Sequence, residues 1–225
     1  MNNYIKYPRT FHLPYSECIT DDDKRFENDD LFKRMDKVYC SIKMDGENST
    51  IYSDGYIHAR SLNGNNHPWQ SWLKQFAQKW YRDIPDGWRV CGENLYPQHS
   101  IAYTFPNDGY MFQVFGIYND KNECLSFDDT CLWCEIFGLK MVDVFYYGEY
   151  DKDAIMNKFN QYKELSKNEV EGFVVRNEDS FAYEDFSKNI AKYVRKNHVQ
   201  TDEHWTKNWK PNKVDEWRNI NVGVK

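Results

Sequence analysis

Long apolar runs are what this 225-residue chain most plainly lacks. No stretch approaches the roughly 20 consecutive apolar residues that a membrane-spanning helix needs. The opening Met1-Asn2-Asn3-Tyr4-Ile5-Lys6-Tyr7 has none of the apolar core of a secretory signal. A soluble protein of the cytoplasm, with no membrane partner, is therefore expected. Cysteine is sparse and irregular: Cys18, Cys40, Cys91, Cys124, Cys131 and Cys134 follow no regular spacing, so reduced thiols are expected rather than a disulfide framework. Only Cys131-Leu132-Trp133-Cys134 has CxxC spacing, and without a second such pair, inside a helical pattern, it reads as structural. There is no internal repeat, no low-complexity stretch and no long Pro/Gly/Ser linker, which leaves a single continuous domain as the default.

Positive charge is also in deficit, with a net charge of −6, yet the deficit is uneven. Residues 187–225 hold nine Lys/Arg against four acids, a local +5, and leave −11 for the remainder, much of it between Glu17 and Asp36. Such polarity suits a polyanion bound at one face, and equally a surface that only keeps the protein soluble.

What is present is 40% hydrophobic residues, enough for a real core at this length. Val38–Lys43 alternates as a strand, and Ser49–Tyr52, the turn Ser53-Asp54-Gly55 and Tyr56–Arg60 read as a hairpin. Pro68 opens a helix whose Trp69, Trp72, Leu73, Phe76, Ala77 and Trp80 recur at three-and-four spacing, a stripe best read as core packing. Further strand-like runs are Trp88–Leu95, Tyr110–Tyr118, Lys140–Phe145, Glu169–Arg176 and Ile190–Arg195. Helices are predicted over Asp128–Phe137 and, behind the cap Asp151, over Lys152–Leu165. Strands outnumber helices, and many are joined by turns too short for crossover helices. The fold class expected is α+β, built on antiparallel sheets with flanking helices.

The chemistry is concentrated in Lys43-Met44-Asp45-Gly46-Glu47-Asn48, a lysine presented by a Gly turn just after a strand. A lysine amine is a nucleophile once its pKa falls, and Gly46 allows both a tight turn and a close nucleotide. Alone, the hexapeptide reads as readily as an exposed hairpin lysine. An ordered series of polar groups follows it: Arg60 in His58-Ala59-Arg60-Ser61-Leu62-Asn63-Gly64, Glu93 in Val90-Cys91-Gly92-Glu93-Asn94-Leu95, and Phe115 in Phe112-Gln113-Val114-Phe115-Gly116. Glu171 then opens Val170-Glu171-Gly172-Phe173-Val174-Val175-Arg176, and Lys192 and Arg195 lie in Ala191-Lys192-Tyr193-Val194-Arg195-Lys196. An isolated acid inside an apolar strand is costly to bury without a partner, which favours a functional role for Glu93 and Glu171.

This order resembles the covalent nucleotidyltransferases: ATP-dependent DNA ligases, RNA ligases and mRNA capping enzymes. Lys-x-x-Gly-x-Asn followed by Arg-x-x-x-Gly is most similar to the nick-sealing branch of RNA ligases. The segments Tyr7-Pro8-Arg9-Thr10-Phe11-His12-Leu13-Pro14 and His198-Val199-Gln200-Thr201-Asp202-Glu203-His204-Trp205 also resemble small phage and bacterial RNA ligases. The resemblance implies a nucleotidyltransferase (ATP-grasp-like adenylation) domain over residues 1–196 and a basic, Trp-rich extension over 197–225. Since only 30 residues follow Arg195, no OB domain is expected.

The resemblance also implies roles. Lys43 would attack the α-phosphorus of ATP, with Lys192 beside it in catalysis. Glu93 would accept hydrogen bonds from the ribose and Phe115 would stack on adenine, with Phe112 as its rival. Glu171 would hold Mg²⁺ or Mn²⁺, and Lys192 and Arg195 would bind phosphate oxygens. The family's usual ending places two lysines one residue apart; here Val194 intervenes, so Arg195 and Lys196 compete for the second position. Arg60 would contact the AMP phosphate or the RNA 5′-phosphate, and Asn48 would support the later steps. The partner implied is RNA, as a nicked duplex or a broken loop, bound by a monomer in a bacterial or phage-infected cell. The basic tail or a partner protein would supply grip on the RNA. His198 and His204 stay open between RNA contact and packing of the tail, and His12 between lining the nucleotide pocket and capping the fold.

Overall fold

A computed structural model describes residues 4–21, 23–62, 67–196 and 209–215. In chain order its strands are β1 (Phe11–His12), β2 (Val38–Lys43), β3 (Glu47–Tyr52), β4 (Ile57–Ala59), β5 (Arg89–Asn94), β6 (Thr104–Phe105) and β7 (Phe112–Tyr118). They continue with β8 (Glu123–Cys124), β9 (Lys140–Met141), β10 (Val144–Gly148), β11 (Gly172–Asn177), β12 (Phe181–Ala182), β13 (Ile190–Val194) and β14 (Lys213–Val214). The helices are α1 (Gln70–Ala77), α2 (Phe127–Phe137), α3 (Lys152–Leu165) and the single turn α4 (Phe186–Asn189). Among the described residues, no helix is long and apolar enough to cross a membrane.

Two mainly antiparallel sheets form the body. One runs β1-β13-β11-β2-β10; the other runs β12-β8-β7-β5-β3-β4, with β9 added alongside β7. The α+β class is as expected. Each sheet buries one face under helices. Ile155 and Phe159 of α3 pack with Phe173, Val175 and Tyr193 beneath the first sheet. Leu73 and Ala77 of α1, with Trp80 beyond its end, and Cys134 and Phe137 of α2 pack with Phe112 and Val114 beneath the second. The aromatic stripe of α1 is thus core, as its spacing predicted, and the CxxC helix contributes Cys134 to the same core. The six cysteines are free thiols. A third cluster, including Cys91, Phe115, Val142 and Ile190, joins the two sheets.

The caps explain the helix limits. Asp151 accepts from the backbone N–H groups of Asp153 at 2.9 Å and Ala154 at 3.0 Å, which starts α3 where its sequence predicts. Ser126 does the same for α2 through the N–H of Asp129. One predicted strand divides: Lys140–Phe145 is two strands in different sheets. Lys140–Met141 pairs parallel with β7, the backbone N–H of Val142 bonds to Val114, and Val144 then pairs with Ser41 of β2. Only Val142 and Asp143 separate the two strands, so alternation alone gives no sign of the switch. Tyr110–Tyr118 begins as strand only at Phe112, because Asn107 caps a 3₁₀ turn over Asp108–Met111.

The proposed extension, residues 197–225, falls mostly outside the described residues. Its described part, 209–215, lies on the body: β14 pairs with β6, and Asn212 is buried, bonded to Leu95, Tyr96 and Tyr103.

Candidate active site

A cleft enclosing about 810 Å³, part of it open to solvent, is lined by Lys43, Asn48, Arg60, Glu93, Phe115 and Lys192. Six of the predicted site residues, spread over 150 positions of sequence, therefore face one space. Strand pairing brings them there. Asn48 of β3 lies directly opposite Glu93 of β5, and Lys43, the last residue of β2, lies opposite Gly172, one residue beyond Glu171.

Lys43 is the centre of charge. Its Nζ donates to Glu171 Oε2 at 2.5 Å, with the Glu171 side chain almost fully buried. Burial works against the ammonium, but the carboxylates of Glu171 and Glu93 outweigh it and hold the Lys43 pKa above its ordinary value. Glu93 is pushed up from 4.5 to about 8, first by burial and then by Glu171 and Asp45, with Lys43 and the Gly46 N–H opposing. One cluster of titratable groups, Lys43, Glu93, Glu171 and Asp45, thus gathers at the end of β2.

Gly46 is required by close approach rather than by a left-handed turn. A Cβ there would stand 2.6 Å from the Asn94 carbonyl oxygen, whereas the bare backbone lets the Gly46 N–H reach Glu93 Oε1 at 3.1 Å. Gly172 is tighter still, since a Cβ would meet the Tyr193 carbonyl oxygen at 2.0 Å. Gly46 lets the loop after Lys43 close on the end of β5, and Gly172, next to Glu171, lets β11 close on β13. Asp45 is fixed from the far side: its carboxylate accepts from the Ile101 N–H at 2.8 Å and its own N–H donates to the Tyr103 hydroxyl at 3.0 Å. Glu47 points the other way and anchors the start of α1, accepting from Trp69 Nε1 and Gln70 Nε2.

At the inner end, Phe115 lines the cleft, whereas its rival Phe112 is fully buried beneath the second sheet. The Phe115 ring meets Tyr7 edge-on at 5.0 Å, and the Arg176 guanidinium lies 5.5 Å from its centroid. Arg176 and Tyr7 are site residues that sequence reasoning missed. Arg176 is 5% exposed, bonds the Tyr7 hydroxyl at 3.4 Å, and has no hydrogen-bond partner for Nε among the described residues. Its place as the last residue of an apolar strand run gave no sign that the strand turns it into the cleft. The opening motif also contributes Pro8, Arg9 and Thr10 to the cleft wall.

The predicted phosphate cations separate. Lys192 lies in the cleft, with Nζ 3.2 Å from Asp23 Oδ1. Arg195 lies elsewhere: its guanidinium pairs with Glu169 and bonds the Val170 carbonyl at 2.5 Å. Three positions apart on an extended strand, Lys192 and Arg195 point to opposite faces. The Lys196 backbone N–H bonds to Glu17, and its side chain does not line the cleft. Arg60 stands exposed at the rim, beyond the end of β4; Asn63 and Gly64 of its motif lie outside the described residues, as do His198 and His204. His12 is buried and packed against Asp23 and Ser16.

The donor set fits a nucleoside triphosphate. Asn48 Oδ1 is buried in the cleft wall without a partner among the described residues, a polar atom that a ligand donor would satisfy. Lys43, Lys192 and Arg60 supply cations for phosphate, and Phe115 supplies a flat face. No group of three or more His, Cys, Asp or Glu among the described residues could cage a metal. An ion such as Mg²⁺ keeps its waters and takes one carboxylate together with substrate phosphates, and Glu171 is the buried carboxylate beside Lys43.

A family model described as RNA ligase matches residues 36–194. Among curated proteins, none matches the sequence. Among solved structures, the chain is similar to an archaeal ATP-dependent RNA ligase with a TM-score of 0.53 and 17% identity, covering 84% of this chain and 48% of that one. It is also similar to a Naegleria gruberi RNA ligase variant determined with ATP and Mn, with a TM-score of 0.47 and 16% identity over 73% of this chain and 52% of that one. The chain spans about half the length of the solved proteins it matches.

Proposed function

This chain belongs to the RNA ligase family, and on that premise we propose that it is an ATP-dependent RNA ligase joining 3′-hydroxyl and 5′-phosphate ends in RNA repair. The observation that carries the reading is the meeting of Lys43, Asn48, Arg60, Glu93, Phe115 and Lys192 in one cleft, with Glu171 held against Lys43.

Three steps follow from the chemistry of these groups. The Lys43 amine, having lost its proton, attacks the α-phosphorus of ATP; a P–N bond forms, the bond to the bridging oxygen breaks, and pyrophosphate leaves. The AMP then passes to an RNA 5′-phosphate, and the Lys43 amine is released. A 3′-hydroxyl finally attacks that phosphate, a phosphodiester forms, AMP departs and the hydroxyl proton goes to solvent. Phosphoryl transfer of this kind depends on positioning and on neutralising phosphate charge. Lys192 and Arg60 bind phosphate oxygens. Glu93 takes the ribose hydroxyls, Phe115 packs on adenine, and Asn48 offers its unpaired oxygen to the nucleotide. A divalent ion, Mg²⁺ or Mn²⁺, would be held by Glu171 and would supply further neutralisation at the phosphates. In the free protein Lys43 is a paired ammonium, so its attack requires the loss of both the proton and the Glu171 pairing.

The test is to incubate the protein with α-labelled ATP and Mg²⁺ and to look for label that survives denaturing electrophoresis. Wild type is expected to label and Lys43→Ala to stay blank. No label, label persisting in Lys43→Ala, or labelling by GTP in preference to ATP would overturn the proposal. A panel of nicked duplex RNA, nicked hybrid, single strands and cleaved loops then identifies the end that receives AMP.

A further inference from the structure

Lys192 is the cleft cation most elaborately held, and what holds it comes from the acidic segment after β1. Residues 11–18 run along the exposed edge of β13. His12 lies opposite Lys192 in parallel register, the Leu13 N–H bonds to the Lys192 carbonyl at 2.8 Å, and the Glu17 N–H bonds to Val194 at 3.0 Å. The chain then doubles back, with the His12 N–H on the Lys24 carbonyl at 2.7 Å and the Phe26 N–H on the His12 carbonyl at 2.9 Å. This double tie sets Asp23 beside Lys192.

The two oxygens of Asp23 divide the work. Oδ2 accepts from the Thr20 hydroxyl at 2.8 Å and from the Thr20 N–H at 3.3 Å, which fixes the carboxylate plane. Oδ1 is left to the Lys192 ammonium at 3.2 Å. Behind it stands His12, 1% exposed, with Nε2 3.2 Å from Asp23 Oδ2 but off line for a full hydrogen bond. His12 Nδ1 lies 2.7 Å from Ser16 Oγ, and that oxygen accepts from the Val194 N–H at 2.9 Å. Burial first, and then the charge of Lys192, hold the imidazole down to about 4, so it is neutral at pH 7.

We propose that Asp23 is a positioning residue of the ligase reaction: clamped by Thr20 and backed by His12, it aims the Lys192 ammonium at the phosphates of the bound nucleotide. The inference rests on the reading of the cleft given above. A lysine is a flexible point charge, and misplacing a phosphate-binding group by about 1 Å is enough to slow transfer roughly 100-fold. The charged and titratable groups that face Lys192 are Asp23 and His12 from the N-terminal segment, Lys43 from β2 and Glu171 ahead of β11. Burial and Lys43 disfavour its charge, whereas Asp23 and Glu171 favour it. Asp23 therefore also keeps Lys192 protonated.

The experiment is single-turnover formation of lysyl-AMP from labelled ATP, from neutral to alkaline pH. Wild type is expected to label. Asp23→Asn is expected to slow the step ~10- to 100-fold with little change in the ATP concentration for half-maximal rate, and to move the alkaline fall of the rate to lower pH. Asp23→Glu is expected to restore most of the rate, and Thr20→Val to shift the alkaline limb in the same direction by less. If Asp23→Asn does not fold, Asp23→Glu and Thr20→Val carry the test. Labelling by a folded Asp23→Asn at the wild-type rate, a drop by one factor at every pH, or an unmoved limb in Thr20→Val overturns the inference while leaving the ligase reading intact. A wild type that does not label overturns both.

Discussion

Glu93 is where pH acts most directly on this molecule. Its carboxyl gives up its proton near 4.5 in the unfolded chain and near 8 in the folded protein, because burial, Glu171 and Asp45 disfavour the charge more than Lys43 and Gly46 favour it. Between those values the folded state binds the extra proton, so stability falls as pH rises through the window. Glu93→Gln, which cannot titrate, is expected to flatten that slope, read as denaturation midpoint against pH; an unchanged slope would place the titration elsewhere. Phe115 gives a second residue-scale expectation. Stacking on a base is worth about 1–3 kcal/mol, so Phe115→Ala should weaken ATP binding roughly 5- to 150-fold, while Phe112→Ala should instead unfold the protein at lower temperature. Glu93 was legible because a charged side chain inside an apolar strand breaks the pattern, whereas Phe115, one apolar residue among others, was indicated by the family resemblance alone. Arg176 and Asp23 were not legible: one ends a strand run as any edge arginine would, and the other is lost in a stretch rich in acids. What distinguishes them is orientation and partners, which arise only when β13 meets the segment after β1 and β11 lies beside β2.

At the scale of elements, capping and close approach decide more than propensity. The Asp151 side chain satisfies two N–H groups at the start of α3, so Asp151→Ala is expected to cost about 1 kcal/mol of stability and to leave ATP labelling unchanged. Gly172→Ala should be far more damaging, since the 2.0 Å approach to the Tyr193 carbonyl is between backbones and neither side has a rotamer to yield. Loss of both folding cooperativity and labelling is expected, seen by calorimetry and by the same label. β2 and α3 could be read residue for residue because each carries a period over a full element and a clear stop. The two-residue strands β1, β8 and β12 have no period to read and form where an already built sheet offers an unpaired edge, while β6 and β14, as short, pair only with each other. The division of Lys140–Phe145 between sheets was hidden for a related reason: both halves are extended, and only their partners differ.

Over the whole molecule, the C-terminal segment has two separable effects, one on folding and one on charge. Residues 209–215 close over the loop after β5, where Asn212 donates to the Leu95 carbonyl, accepts from the Tyr103 N–H and bonds Tyr96 through its own N–H. Tyr103 in turn accepts from the Asp45 N–H, two residues from Lys43. Ending the chain after Asn208 removes the three hydrogen bonds of buried Asn212, worth roughly 3 kcal/mol together, with those of Lys210, Lys213 and Asp215 besides, and loosens the support of the Lys43 loop. Lower melting temperature and slower labelling are both expected. Replacing Lys207, Lys210, Lys213 and Arg218 by Gln keeps Asn212 and should leave both properties alone. It should act on RNA instead: each phosphate that is no longer neutralised takes about 0.7 to 0.9 from the slope of log affinity against log salt. A slope unchanged in the fourfold variant would mean that the uneven charge of the sequence serves solubility, and that the polynucleotide is held by cations outside the tail, such as Arg9, Arg60 and Lys192 of the cleft.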